Sequence, residues 1–516
     1  MPVDTAPNQD IHTLDGLALL VSTIEDHLSQ GQYQQAATLF ENNSTSAWFG
    51  FHPTRAVEVL QLLITNTPAP RPVLESIVRL MTATRVGQFD SHHYVATVDG
   101  EDPHQMFLLS MFRMADLRLH GQPVEALEHS ELLNVYLKQM NLGDDDPIGL
   151  ALQAAVETGI TAMLAGDFQH ALKSFTQAQL LPFVPKFPFL TRNALVQSAL
   201  IHACVGNTGS AVSLLDRADQ VPRTSSWVEN QIDVHRDFAA VLVSARSYEE
   251  ALDRLETISL HDIGEMWPFY IMVIHRILEA VGQTDELDHR LEMFDSIPLP
   301  KIDGEGFSGS IIPIKRAMLA MRTGRSFDAQ EFLARADSRL VYTRLLSAAV
   351  NIYAGRTQQA IQQATRLKAE TRGFRLLEIR RLAILASAYY QADNTEACLK
   401  TLTRAVAIPH GLARTEAELF SPEVRELATR HIAAWPPDIG GPSAFLTDLP
   451  KPGRALTERE VQIVGQLAKG HRRAKIADNL YISMNTLKSQ LRSIYRKLEV
   501  STASDAVVGA QRRGLI

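Results

Sequence analysis

The residues best suited to chemistry lie near the C-terminal end of this 516-residue chain. Asn485, Lys488, Ser489, Arg492 and Arg496 recur at offsets of 3, 4, 7 and 11, so a helix carrying them shows cations and short hydrogen-bonding side chains on one face. Leu487, Leu491, Ile494 and Leu498 recur at 4, 7 and 11 and share the opposite, apolar face. One face anchors such a helix on its neighbours. The other fits the major groove of B-DNA, with the N-terminal half of the helix nearest the base edges. An ordinary surface helix with a solvated basic face has the same stripe, so the stripe alone does not separate the two readings.

Three further helices are needed to position that face. Thr457 followed by Glu460 is a capping-box start, and Val461, Val464, Leu467 and Ala468 form an apolar stripe that Gly470 ends. A second, short helix carries Ile476, Ala477 and Leu480. The tight connection Tyr481-Ile482-Ser483 leads into the third helix, with Ser483 as its cap. A fourth, from Asp505 to about Arg513, contains Ala506, Val507, Val508 and Ala510.

Leu456-Thr457-x-Arg459-Glu460, Ala468-x-Gly470, Ile476-Ala477-x-x-Leu480, Ile482-Ser483-x-x-Thr486-Leu487-Lys488 and Lys497-Leu498-x-Val500 follow one another without a gap. This pattern resembles the LuxR-type helix-turn-helix domain. The resemblance implies that Lys488, Ser489 and Arg492 approach bases or nearby phosphates, while Thr486 and the flanking basic residues hold the DNA backbone. It also implies a dimer contact through the fourth helix, for which packing against the module's own core is an equal alternative. Gln490 stands where the family commonly has His, and Ala503 where Arg is frequent. Arg472-Arg473-Ala474-Lys475 replaces a small polar and acidic run. These departures bear on the operator sequence and enlarge the share of phosphate contacts.

Charge divides with position. Residues 451–516 hold 13 Lys+Arg against 5 Asp+Glu, net +8; the whole chain is −8, which leaves −16 for residues 1–450. A basic head on an acidic body is the asymmetry expected when only the head meets nucleic acid. Cys204 and Cys398 are the two cysteines, both in apolar helical contexts, so a disulfide framework is not expected and a reducing compartment fits. Met1 to Gln9 lacks the charged start and apolar core of a signal peptide, and no apolar run approaches the ~20 residues that span a bilayer. The expectation is a cytoplasmic, bacterial protein without membrane contact, nucleoid-associated when bound to DNA.

Residues 11–434 read as a helical repeat array. A signature returns at Gly31-x-Tyr33-x-x-Ala36, Gly121 with Ala126, Gly166-x-Phe168-x-x-Ala171, Gly206 with Ala211, and Ser247-Tyr248-x-x-Ala251. Weaker copies follow at Gly282, Phe327-x-Ala329, Gly355 with Ala360, and Asp393 with Ala397. Alanine intervals of 45 and 40 residues predict helical hairpins stacked into a solenoid, resembling tetratricopeptide repeats but longer. Trp435 to Arg454 has five prolines and three glycines in twenty residues, which no helix tolerates. The expected organisation is a disordered segment 1–10, a repeat body 11–434, a linker 435–454 and a four-helix head 455–516, all-α throughout.

Other chemistry finds little support. Gly304-x-Gly306-x-x-Gly309 spells a dinucleotide fingerprint but lacks the preceding strand, so a flexible inter-helix loop is expected. No GxxxxGK[ST] motif occurs, whereas the large MalT-like regulators of the resembled family carry an ATPase domain ahead of their repeats; ATP-driven switching is therefore not expected. His92, His93 and His104 with Asp90, Asp99 and Asp102 fit no standard metal spacing and read as a solvated loop. Neither a catalytic constellation nor a cofactor or metal site is expected. Two aromatic segments, around Phe187 and from Trp267 to Tyr270, either fill gaps between hairpins or line an effector pocket with Phe187, Trp267 and Tyr270.

The sequence as a whole points to a DNA-binding regulator, more an activator than a repressor by resemblance. Its body senses a small molecule and alters the head's exposure, homodimerisation or contact with RNA polymerase. The competing expectation is a DNA-tethered scaffold whose repeats bind a protein partner.

Overall fold

A computed structural model describes residues 16–68, 70–83, 102–141, 149–244, 248–323, 325–437, 456–512 and 515–516. The fold is all-α, with no strand among the described residues. The chain divides into two compact units: Met1–Gly282 with Pro298–Gly309, and Gln283–Ile297 with Ser310–Ile516.

The first unit is built from hairpins such as Gly16–Ser29 with Tyr33–Asn42, Pro103–Leu119 with Pro123–Met140, Leu150–Ala165 with Phe168–Leu180, and Pro188–Cys204 with Thr208–Asp219. One device closes each of these four turns. Gly31, Gly121, Gly166 and Gly206 adopt left-handed backbone with φ of 71° to 90°. Five residues later Ala36, Ala126, Ala171 and Ala211 are each fully buried. A left-handed glycine stops one helix without steric cost, and the small side chain lets the returning helix lie close against it. Aromatics fill the remaining space, as where the Phe168 ring meets Phe307 at 5.3 Å and Phe269 at 6.0 Å.

The second unit repeats the device with substitutions. Gly355, at φ 70°, precedes the buried Ala360. In the hairpin Arg375–Gln391 with Thr395–Val406, Asp393 takes the glycine's place at φ 57°. Cys398 rather than Ala397 is the buried small residue there, because the buried site lies five residues after the turn and not four. Trp435, which the sequence places at the start of a linker, is buried and packs edge-on against Phe420 at 5.1 Å. Residues 438–455, which hold most of that segment, and residues 1–15 lie outside the described residues.

The triple-glycine run departs from the flexible loop expected of it. The Phe307 and Ser308 amides both donate to the Leu164 carbonyl, at 2.8 and 3.2 Å. A Cβ on Gly309 would lie 1.8 Å from the Ile302 carbonyl oxygen. Gly309 serves close backbone packing of the Pro298–Gly309 segment on itself, and Gly306 its close approach to the backbone of Leu164 and Ala165.

Candidate nucleic-acid interface

The head has its own core. Helices Glu458–Ala468, Arg473–Asn479, Met484–Leu498 and Ala503–Arg512 bury Ile463, Val464, Ile476, Ala477, Leu487, Leu491, Ile494, Leu498, Ala506 and Ala510 together. The apolar face expected of the third helix is the one buried. In the first helix the stripe is rotated: Ile463 is fully buried and Ala468 is exposed, while Val461 and Leu467 pack at the margin.

Caps set the register. The Thr457 amide donates to a Glu460 carboxylate oxygen at 2.7 Å, and the Glu460 amide returns a bond to the Thr457 hydroxyl, the reciprocal capping box. Gly470, at φ 74°, ends the first helix. The Thr486 amide donates to the Ser483 hydroxyl at 3.0 Å, which fixes where the third helix begins. Between the second and third helices Tyr481 holds left-handed backbone at φ 52° with its side chain 96% exposed.

Two interactions that spacing did not reveal hold the helices together. Lys497 Nζ lies 2.6 Å from Glu460, tying the third helix to the first. Burial would raise the Glu460 carboxyl, but the Lys497 ammonium and the Thr457 amide outweigh it and hold the group below its usual range. Arg459 donates to the Leu480 carbonyl and to Gln462, pinning the turn to the first helix. A reader of the sequence sees Arg459 and Lys497 only as further charges near a basic face.

The expected contact residues share the opposite environment. Asn485, Thr486, Lys488, Ser489, Arg492 and Arg496 are all exposed, as are Arg472, Arg473 and Lys475 at the start of the second helix. Among the described residues none of these six cations has a carboxylate partner. Ser489 Oγ is bonded back to the Thr486 carbonyl at 2.9 Å, and the Thr486 and Ser483 hydroxyls meet at 2.8 Å. The face therefore combines unneutralised charge with preset short polar groups. Such a surface suits a polyanion whose groove accepts a helix. The fourth helix turns Ala506 and Ala510 into the core and leaves Val508 43% exposed.

The remaining candidates fall elsewhere. Phe187, Trp267 and Tyr270 are all buried in the first unit. Phe187 packs against Phe49 and Phe189 at 5.9 and 5.7 Å, and Tyr270 against Phe238 at 5.7 Å. Asp102 is the N-cap of helix Pro103–Leu119, accepting from the His104 amide at 3.1 Å, so this end of the histidine-rich stretch is a helix start. His92, His93, Asp90 and Asp99 lie outside the described residues, and among those described no cluster could hold a metal ion. No described helix is long and apolar enough to cross a membrane.

Comparison with known proteins bears on the head. Residues 454–510 match the family of bacterial regulatory proteins described as the luxR family. The chain is 41% identical over 61 residues to the transcriptional regulatory protein YdfI of Bacillus subtilis, covering 12% of this chain and 29% of that one. It is 35% identical over 65 residues to the transcriptional regulatory protein LiaR of Bacillus subtilis, covering 13% and 31%. With the HTH-type transcriptional regulator MalT of Yersinia enterocolitica it shares 40% identity over 57 residues, 11% of this chain and 6% of that one. The chain thus spans under a third of each of these relatives. The C-terminal head is a LuxR-family helix-turn-helix domain.

Proposed function

We propose that this chain is a transcription regulator in which the tetratricopeptide-like body, residues 11–434, senses a small-molecule effector and governs DNA reading by the head, residues 455–516. The observation that carries the reading is the third helix: its apolar side is locked into a core, while its basic side is exposed and unpaired. Lys488, Ser489 and Arg492 meet base edges and adjacent phosphates, with Asn485 and Thr486 at the leading end. Arg472, Arg473, Lys475 and Arg496 supply backbone affinity that salt weakens. The exposed side of the fourth helix, including Val508, joins two heads on a pseudo-palindromic site, and contact with RNA polymerase makes the outcome activation.

Selection of bound sequences from a random duplex pool, followed by footprinting, tests this. The expected product is a two-fold related pair of half-sites. A single asymmetric half-site would remove the dimer, and no enrichment would remove sequence-specific reading.

A further inference from the structure

His471 is the single histidine of the head, residues 455–516. It stands between Gly470, which ends helix Glu458–Ala468, and Arg472, the N-cap of helix Arg473–Asn479. The ring is half-buried and held from both helices. Its Nδ1 lies 2.7 Å from Gln466 Oε1, which also accepts from the Asn479 side-chain amide at 3.0 Å, and the His471 backbone amide donates to the Gln466 carbonyl at 3.2 Å. An amide oxygen can only accept, so Nδ1 carries the proton of the neutral ring and Nε2 keeps a bare lone pair. Among the described residues Nε2 has no partner.

The charges around the ring are mostly of one sign. Helix Glu458–Ala468 and its C-cap contribute Arg459 and Lys469; Arg472, Arg473, Lys475 and Asp478 come from the second helix and its N-cap. Arg459 is turned to the Leu480 carbonyl and Gln462. Among the described residues no carboxylate pairs with His471. In the free chain, then, unneutralised cations oppose a further positive charge here. A DNA phosphate reverses that balance. In helix-turn-helix docking the helix ahead of the reading helix crosses the sugar–phosphate backbone, and Arg472 and Arg473, next to His471, are exposed at its start. Against a phosphate oxygen the neutral ring offers a repelling lone pair at Nε2, whereas the imidazolium offers a charge-assisted donor. Histidine is the side chain that makes this change between about pH 8 and pH 5.

We infer that His471 is a proton-linked phosphate contact: on meeting DNA its Nε2 takes up a proton from solvent and donates to a phosphate beside Arg472 and Arg473, so affinity rises as pH falls. This rests on the head's DNA-binding role and makes that role sensitive to pH.

The test titrates the full chain against a labelled duplex of arbitrary sequence, because a phosphate contact needs no operator. Wild type should bind about three- to tenfold more tightly near pH 6 than near pH 8, with a salt slope steeper by roughly 0.9 at the lower pH. His471→Gln should lose most of this response and match wild type near pH 8. His471→Lys should bind at both pH values as wild type does at the lower one. The other histidines of the chain titrate in every variant, so the difference from His471→Gln is the measure. An equal pH response in wild type and His471→Gln, or a loss of affinity in the variant that is the same at both pH values, overturns the contact and leaves DNA binding standing. No binding by wild type at any pH sinks the DNA-binding role itself. A pH difference at His471 without enrichment of any sequence sinks only sequence-specific reading.

Discussion

Individual side chains of the head fall into two groups by what they touch. Arg459 and Lys497 are spent inside the domain, whereas Lys488, Arg492, Arg472, Arg473, Lys475 and Arg496 are left to solvent. Lys488→Ala should therefore alter which base is preferred at its position, by about 1–3 kcal/mol, in a competition titration against mutated sites. Arg473→Ala should weaken all duplexes alike and lower the slope of log K against log salt by roughly 1. If the two variants shifted preference and salt slope equally, that division of roles would be wrong. Glu460 adds a pH prediction. Its folded-state pKa lies below the ordinary value of 4.5, so its stabilisation is present above that value and is lost as pH falls through the lower one. Glu460→Gln should cost the head about 2–3 kcal/mol near neutral pH and flatten its acid denaturation curve, read by circular dichroism melts.

At the scale of elements, the hairpins depend on small residues where helices touch. Gly159 sits inside helix Leu150–Ala165, and a Cβ there would come 2.4 Å from the fully buried Phe175 ring. Gly159→Ala should thus destabilise by about 1–3 kcal/mol although alanine is the better helix former, because overpacking outweighs propensity. Gly209, in helix Thr208–Asp219, would place a Cβ in open space. Gly209→Ala should instead stabilise by about 0.4–1 kcal/mol. Urea melts of the pair check both signs, and a shared sign would refute the contact argument.

For the whole molecule, charge sets the terms of DNA binding. The +8 of residues 451–516 is joined to −16 in the rest of the chain, so the body repels DNA while the head attracts it. A fragment spanning residues 438–516, which retains the head's own core, should bind non-specific duplex more tightly than the full chain at low salt. The difference should shrink as salt shortens the screening length from about 10 Å at 0.1 M toward 3 Å at 1 M. Equal affinities at low salt would show that the body's charge has no part in the interaction.

The local patterns of this protein were legible from residue order because they repeat at fixed offsets. Capping box, turn glycine, serine cap and helical stripes put the four helices of the head where they stand, and glycine with a buried small residue five positions on marked the hairpins. These features are set within a turn or two of chain, where propensity and capping act directly. Contacts between distant segments were not legible. The Lys497–Glu460 bond, the rotation that buries Ile463 in place of Ala468, the packing of Trp435 on Phe420 and the locking of the triple-glycine run on Leu164 all depend on which surfaces meet. A charge on a helix face looks the same in sequence whether a carboxylate from another helix neutralises it or nothing does. Only the tertiary structure separates the cations that hold the head together from those it presents, since pairing is decided by proximity across segments and not by order along the chain.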